Sequence, residues 1–152
     1  MRIMISGSRE FENQYLFEKL LVEEISKKQY ELCFMAKDIT FVLGGANGVD
    51  SMASAFAKKG QSKYGWNYIE IRPDWSDMSP PCSLGHNQFY GSFNKLAGFK
   101  RNQKMVDYTL EDESCFMVAF PRGKSPGTRD AILKAKRAGI ETIVYEINSR
   151  MQ

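Results

Sequence analysis

Apolar side chains alternate along the chain between short unbroken runs and one-sided stripes. Arg2 to Ser6 is a strand-like run that ends in Gly7-Ser8-Arg9. From Asn13 to about Lys28, Leu16, Phe17, Leu20, Leu21 and Ile25 recur at helical spacing with Glu and Lys opposite. That spacing predicts an amphipathic helix, with Asn13 as its N-cap. A second strand is expected over Ile39 to Leu43, then the loop Gly44-Gly45-Ala46-Asn47-Gly48, then a helix that stops at Gly60. Tyr68 to Ile71 reads as a third strand, entering Arg72-Pro73-Asp74-Trp75.

Residues 72 to 98 lose periodicity. Prolines and glycines there are interleaved with Trp75, Phe89, Tyr90 and Phe93. A structureless stretch of that length in a small domain is usually functional or disordered, and the aromatic content argues for a lid or an interface segment. Periodicity returns in a helix from about Lys95 to Tyr108, with Ala97, Arg101, Met105 and Tyr108 near one face. Cys115 to Phe120 is apolar throughout, as befits a strand covered on both sides. After Pro121 to Thr128 a helix is expected over Arg129 to Ala138, stopped by Gly139, and a last strand over Thr142 to Ile147. Alternating strands and helices predict a Rossmann-like α/β fold: a parallel sheet of about five strands with helices on both faces. The 152 residues fit one domain, 1–152, with an inserted loop at about 76–95.

Composition narrows the chemistry. A net charge of +3 permits an anionic ligand, but no element carries the clustered Lys and Arg of a dedicated nucleic-acid binder. His86 is the single histidine, which argues against a His-based metal site or catalytic triad. No metal or cofactor is expected. Cys33, Cys82 and Cys115 are odd in number and far apart, and MRIMIS reads as strand rather than leader. The expectation is reduced thiols in a cytoplasm. No apolar run approaches the length of a membrane span.

In such a fold ligands bind where strands end at their carboxyl edge. Three loops leave strands there: Gly7-Ser8-Arg9, Gly44 to Gly48, and Arg122-Gly123-Lys124-Ser125-Pro126-Gly127-Thr128. The last two feed helix starts, whose unpaired N–H groups suit an anion that glycine lets come close. Ser8, Asn47, Ser125 and Thr128 supply hydrogen bonds, and Arg9, Arg122 and Lys124 supply charge. For a single loop the plain reading is that glycines end strands and small polar residues cap helices. Two such loops at one sheet edge favour a ligand. Asp50 is the candidate for ribose hydroxyls. Arg101, followed by Asn102, lies on an inward stripe and requires either an anionic ligand or an internal carboxylate, since burying it unpaired is costly.

Taken in order, "ISGSREF", "LGGANGVDSMASAFAKKG", "IRPDW", "AGFKRNQKM" and "AFPRGKSPGTRDAILKAKRAG" resemble the SLOG superfamily. The best match is its short YspA-like group, distant relatives of the Lonely Guy cytokinin phosphoribohydrolases. The resemblance implies a Rossmann-like domain for a nucleotide-derived ligand (a nucleotide, ADP-ribose or a cyclic signalling nucleotide). Its phosphate would sit against Gly123 to Thr128, with Gly44 to Asp50 beside it. The hydrolases of the superfamily use an Arg, matched here by Arg101, and a Glu in Pro-Gly-Gly-x-Gly-Thr-x-x-Glu. That Glu position holds Ala131, and the nearest carboxylate, Asp130, is one residue early, about 100° away around a helix. The leading expectation is a protein that sequesters a signalling nucleotide in a prokaryotic or phage conflict system. The alternative is an N-glycosidase acting on a nucleoside monophosphate, with Arg101 and Asp130 assisting. A third branch of the superfamily binds single-stranded DNA, against which the missing basic stripe argues. The resemblance also implies a homo-oligomer.

Overall fold

Five short strands stacked side by side need cover on both faces, and two pairs of helices provide it. The computed structural model describes residues 1–89 and 91–152; Tyr90, one of the aromatics of the long segment, lies outside the described residues. In chain order the elements are β1 (Arg2–Gly7), α1 (Gln14–Leu32), β2 (Thr40–Leu43), α2 (Val49–Tyr64), β3 (Asn67–Glu70), β4 (Leu84–Asn87), β5 (Gly91–Asn94), α3 (Ala97–Leu110), β6 (Cys115–Phe120), α4 (Pro126–Arg137) and β7 (Thr142–Val144). The main sheet has the order β3-β2-β1-β6-β7 and its pairings are all parallel. The Rossmann-like α/β architecture is therefore as the alternation predicted.

Alternation within each strand sorts the core into two layers. Ile3, Ile5, Phe41, Leu43, Phe116, Val118 and Phe120 face α1 and α2, meeting Phe17, Leu21, Val49 and Phe56. Met4, Val42, Met117 and Ala119 face α3 and α4, meeting Met105, Val106, Ala131 and Ile132. The chain winds outward from β1 to β2 and β3, then crosses to β6 and β7 on the other side. The order therefore reverses between β1 and β6, which register together from Arg2↔Cys115 to Gly7↔Phe120. At such a reversal the loops after the two strands diverge and leave a crevice.

Several boundaries differ from the sequence expectation, each for a local reason. Helix α1 runs one turn past Lys28, whose ammonium pairs with Glu31 and Glu141 and lies over the Phe116 ring. Gly60 does not stop α2. A Cβ there would lie 1.7 Å from the Trp66 ring, so glycine makes room for the indole, and the helix ends at Gly65 with φ +78°. Helix α4 starts at Pro126 rather than Arg129, with proline in the first turn where its missing N–H is no loss. Strand β7 ends at Val144, although Tyr145 and Ile147 still donate to Ala119 and Pro121 (both 2.8 Å).

The segment after β3 is not structureless. It contains the antiparallel hairpin β4–β5, and it is organised around Asn94, which is fully buried. The Asn94 amide donates to the carbonyls of Asp77 (2.9 Å) and Pro81 (3.1 Å) and accepts from the N–H groups of Ser83 (3.1 Å) and Leu96 (2.9 Å). Lys100 on α3 pins the same segment through Asp77 and Ser79. The hydrogen bonds to Asp77 from Lys100 and Ser79 hold its carboxyl well below the usual range.

Candidate functional site

The crevice between β1 and β6 is a cavity of about 600 Å³. Its walls come from three places. The end of β1 contributes Ser6, Gly7, Ser8, Arg9 and Glu10; the first turn of α2 contributes Asp50 and the second turn of α3 contributes Arg101 and Asn102. The third wall is the stretch from Arg122 through Thr128 that leads into α4. A second lobe of about 370 Å³ adjoins it, lined by Gly44, Gly45, Asn47, Arg72, Pro73 and Trp75. Arg9, Ala46 and Arg101 line both lobes. Of the residues singled out in the sequence, Gly48 and Asp130 line neither lobe.

The two glycine loops play different parts. In the first, glycine serves the protein's own packing. A Cβ on Gly48 would lie 2.4 Å from the Ser8 carbonyl oxygen, and one on Gly7 would lie 2.5 Å from Val49. The Val49 N–H donates to that same Ser8 carbonyl (3.1 Å), so the loop is stitched to β1. A Cβ on Gly44 would strike both the Arg101 guanidinium (2.6 Å) and the Asp50 carboxylate (2.9 Å). In the second loop, Gly123 and Gly127 face nothing within 4 Å. The open backbone belongs to α4.

The start of α4 is left unoccupied by the protein. Ser125 sits in a left-handed conformation (φ 34°), and its hydroxyl turns back to donate to the Arg122 carbonyl (2.9 Å) rather than cap the helix. The amides of Gly127 and Thr128 have no hydrogen-bond partner among the described residues. Such unpaired N–H groups carry the positive end of the helix dipole. Asn102, 3% exposed, holds this turn in place: its amide donates to the Gly127 carbonyl and to Asp130 Oδ2, both at 3.0 Å. Asn102 thus orders the turn from behind.

Asp50 and Arg101 face each other across Gly44. Asp50 is 6% exposed, and its Oδ2 accepts the Ala46 N–H (3.0 Å). Burial pushes its pKa up, opposed by the Ala46 amide and by the charges of Arg101 and Arg9. Burial likewise pushes the Arg101 pKa down, with Asp50 opposing and Arg9 reinforcing. The Arg101 guanidinium donates to the Gly44 carbonyl and to Asn102 Oδ1, and it forms no ion pair among the described residues. Arg9 is exposed at the cavity mouth and makes neither hydrogen bond nor ion pair among the described residues. The Arg122 guanidinium has only a long contact to Glu10 (3.8 Å) among the described residues.

Asp130 was expected near the chemistry, and its placement gives that role no support. Its carboxylate accepts from Asn102 and from Lys134 (2.7 Å), and it is not part of the cavity lining. Lys134, which reads in the sequence as solvated helix face, also donates to the Phe99 carbonyl (2.8 Å) and ties α4 to α3. Ala131, at the hydrolase Glu position, is fully buried in the core. Ser6, Glu10, Ala46 and Pro126 line the cavity without having been singled out, because strand ends and helix starts contribute wall by topology rather than by motif. Among the described residues no group of three or more His, Cys, Asp or Glu is placed to hold a metal. No helix among them is long and apolar enough to cross a membrane.

Residues 1–77 match the family described as "YspA, cpYpsA-related SLOG family". The chain belongs to this SLOG family. The matched residues carry β1, the first glycine loop, Arg72 and Trp75, and stop before α3 and α4. A relative extends the likeness over both halves: the Gene 61 protein of Mycobacterium phage D29 is 31% identical over 144 residues, 95% of each chain. For the SLOG fold in this chain, the cavity sits where its strand order reverses, with the open helix start on the side of β6.

Proposed function

We propose that the protein binds a nucleotide-derived small molecule and holds it intact, with an anionic group seated on the first turn of α4. The observation that carries this reading is the free start of that helix: unpaired amides at Gly127 and Thr128, open space over Gly123 and Gly127, and, among the described residues, Arg9 without a carboxylate partner and Arg101 facing the buried Asp50 without a salt bridge. A helix start of this kind favours phosphate or carboxylate. Membership of the SLOG family points the same way, toward a nucleotide-related ligand. In this reading Asp50 meets the sugar hydroxyls. Holding is favoured over cutting because α4 presents no carboxylate to the cavity: Ala131 is in the core and Asp130 is engaged by Asn102 and Lys134. The phage relative is compatible with capture of a signalling nucleotide during infection.

The test is to incubate the purified protein with nucleoside monophosphates, cyclic nucleotides and ADP-ribose, then to heat-denature it and analyse what is released. Stoichiometric recovery of one intact compound is the expected result. Catalytic appearance of free base and ribose phosphate would replace holding with N-glycosidase chemistry. Recovery of no ligand at all would sink the reading.

A further inference from the structure

We propose that Trp75 is the platform on which the ligand's nucleobase stacks, so that the second lobe is a base site and the ligand lies with its phosphate toward α4. The inference rests on the nucleotide reading above and fixes the ligand's direction within the cavity. Trp75 is 43% exposed and lines the second lobe, whereas Trp66, the other tryptophan, is 8% exposed and packed against Phe41 and Phe56. A large indole left open next to a polar cavity is a surface awaiting a flat partner.

The rest of the lobe fits a base better than a second phosphate. Arg72 is already paired with Glu70 (2.9 Å), so its charge is met, and its guanidinium lies along Gly45 as a flat wall. Pro73 and the glycine backbone add apolar and planar surface. The Asn47 side chain is exposed and makes no hydrogen bond among the described residues, which leaves an amide donor and an acceptor for a base edge. Arg9, which has no ion pair among the described residues, and Arg101, which faces Asp50, line both lobes where they meet. At about 370 Å³ the lobe is within the range of small-ligand pockets.

The indole is held in position independently of any ligand. The Trp75 carbonyl accepts the Asn94 N–H (2.8 Å), and the ring meets Phe93 edge-on at 6.3 Å. A Cβ on Gly98 would only just touch it, at 4.0 Å, so the first turn of α3 supports the ring without a side chain between them. The loop after β3 thus brings an aromatic floor, braced by Phe93 and Asn94 of the inserted segment, to a site whose phosphate end is built by the sheet.

Tryptophan fluorescence and calorimetry test this with adenosine, guanosine, cytidine and uridine monophosphates, each against ribose 5-phosphate. At least one nucleotide is expected to quench the emission and to bind more tightly than ribose 5-phosphate, which competes without quenching. Trp75→Ala is expected to weaken that nucleotide by about five- to 150-fold, the range for one base on one aromatic ring, and to leave ribose 5-phosphate unchanged. Trp75→Phe keeps the packing and a smaller stacking face, so it should retain most of the affinity while losing the quench. Equal weakening of nucleotide and sugar phosphate by Trp75→Ala, or no weakening of either, would overturn the base platform and leave the phosphate cradle standing. If ribose 5-phosphate and all four nucleotides fail to bind the unaltered protein, the base platform falls, and the nucleotide reading is then decided by the cyclic nucleotides and ADP-ribose of the release assay.

Discussion

Gly127→Asp separates stability from binding at the one place where the two have opposite signs. Gly127 is in the first turn of α4, exposed, and a Cβ there meets no atom within 4 Å. Replacing glycine by aspartate within a helix gains about 0.3 kcal/mol in propensity. A negative charge at the positive end of the helix dipole adds roughly 0.3–1 kcal/mol. The sum is about 0.6–1.3 kcal/mol, and at roughly 2–4 °C per kcal/mol for a domain of this size the Tm should rise by about 1–5 °C. Binding should move the other way. Two unit charges 4 Å apart repel by about 4 kcal/mol at an effective dielectric of 20. Even half of that lowers the affinity for an anionic ligand roughly thirty-fold.

Differential scanning calorimetry and titration with a phosphate-bearing ligand measure both effects on one preparation. Gly127→Ala is the control: it gains propensity, adds no charge, and is expected to bind within a few-fold of the unaltered protein. An aspartate variant that binds the ligand undiminished would show that the anion does not sit on α4. A Tm lowered by several degrees would show that the position is not the open helix start described above.

Three further substitutions probe the surroundings. Gly60→Ala, which in an exposed helix would stabilise, should here destabilise by roughly 1–3 kcal/mol because the Cβ collides with Trp66; thermal melting checks it, and ligand affinity should be unaffected. Asn102→Leu strips the Gly127 carbonyl, Asp130 and Arg101 of a buried partner and should cost about 1–3 kcal/mol, with a parallel loss of phosphate affinity in titration. Asp50 has a pKa raised above the ordinary 3.8, so its contribution favours folding at low pH and is lost as pH rises through the raised value. Asp50→Asn, which cannot ionise, should therefore gain stability relative to the unaltered protein in guanidinium unfolding as pH rises above the ordinary carboxylate value, and a widening loss instead would mean that Arg101 outweighs burial.

The α/β alternation made the sheet and its two layers readable from the chain, because each strand is an apolar run and each helix a stripe. Positions set by one tertiary contact were not readable. Gly60 looks like a stop until Trp66 is known to lie on it, and Lys134 looks solvated until the Phe99 carbonyl is beside it. The inserted segment looked structureless because its strands are four residues long and its order comes from the single buried amide of Asn94. Most of the singled-out loop residues do come together, since strand ends at one sheet edge must. What each glycine is for depends on what lies opposite it.

The two glycine loops therefore have different parts in the site. Glycine-rich loops after two parallel strands look alike in a sequence, and either could admit a phosphate. Here the loop after β2 is closed by its own neighbours: Ser8 occupies the space over Gly48, and the Asp50–Arg101 pair occupies the space over Gly44. Its glycines bring a buried carboxylate and a guanidinium against each other at the seam between two lobes. The loop before α4 is the one whose space is empty and whose amides are unpaired. In the proposed reading a ligand takes its anion to α4, passes Asp50 and Arg101, and leaves its other end in the lobe of Trp75. Substitutions at Gly44 and Gly48 should then act through the protein's packing, and substitutions at Gly123 and Gly127 through the ligand.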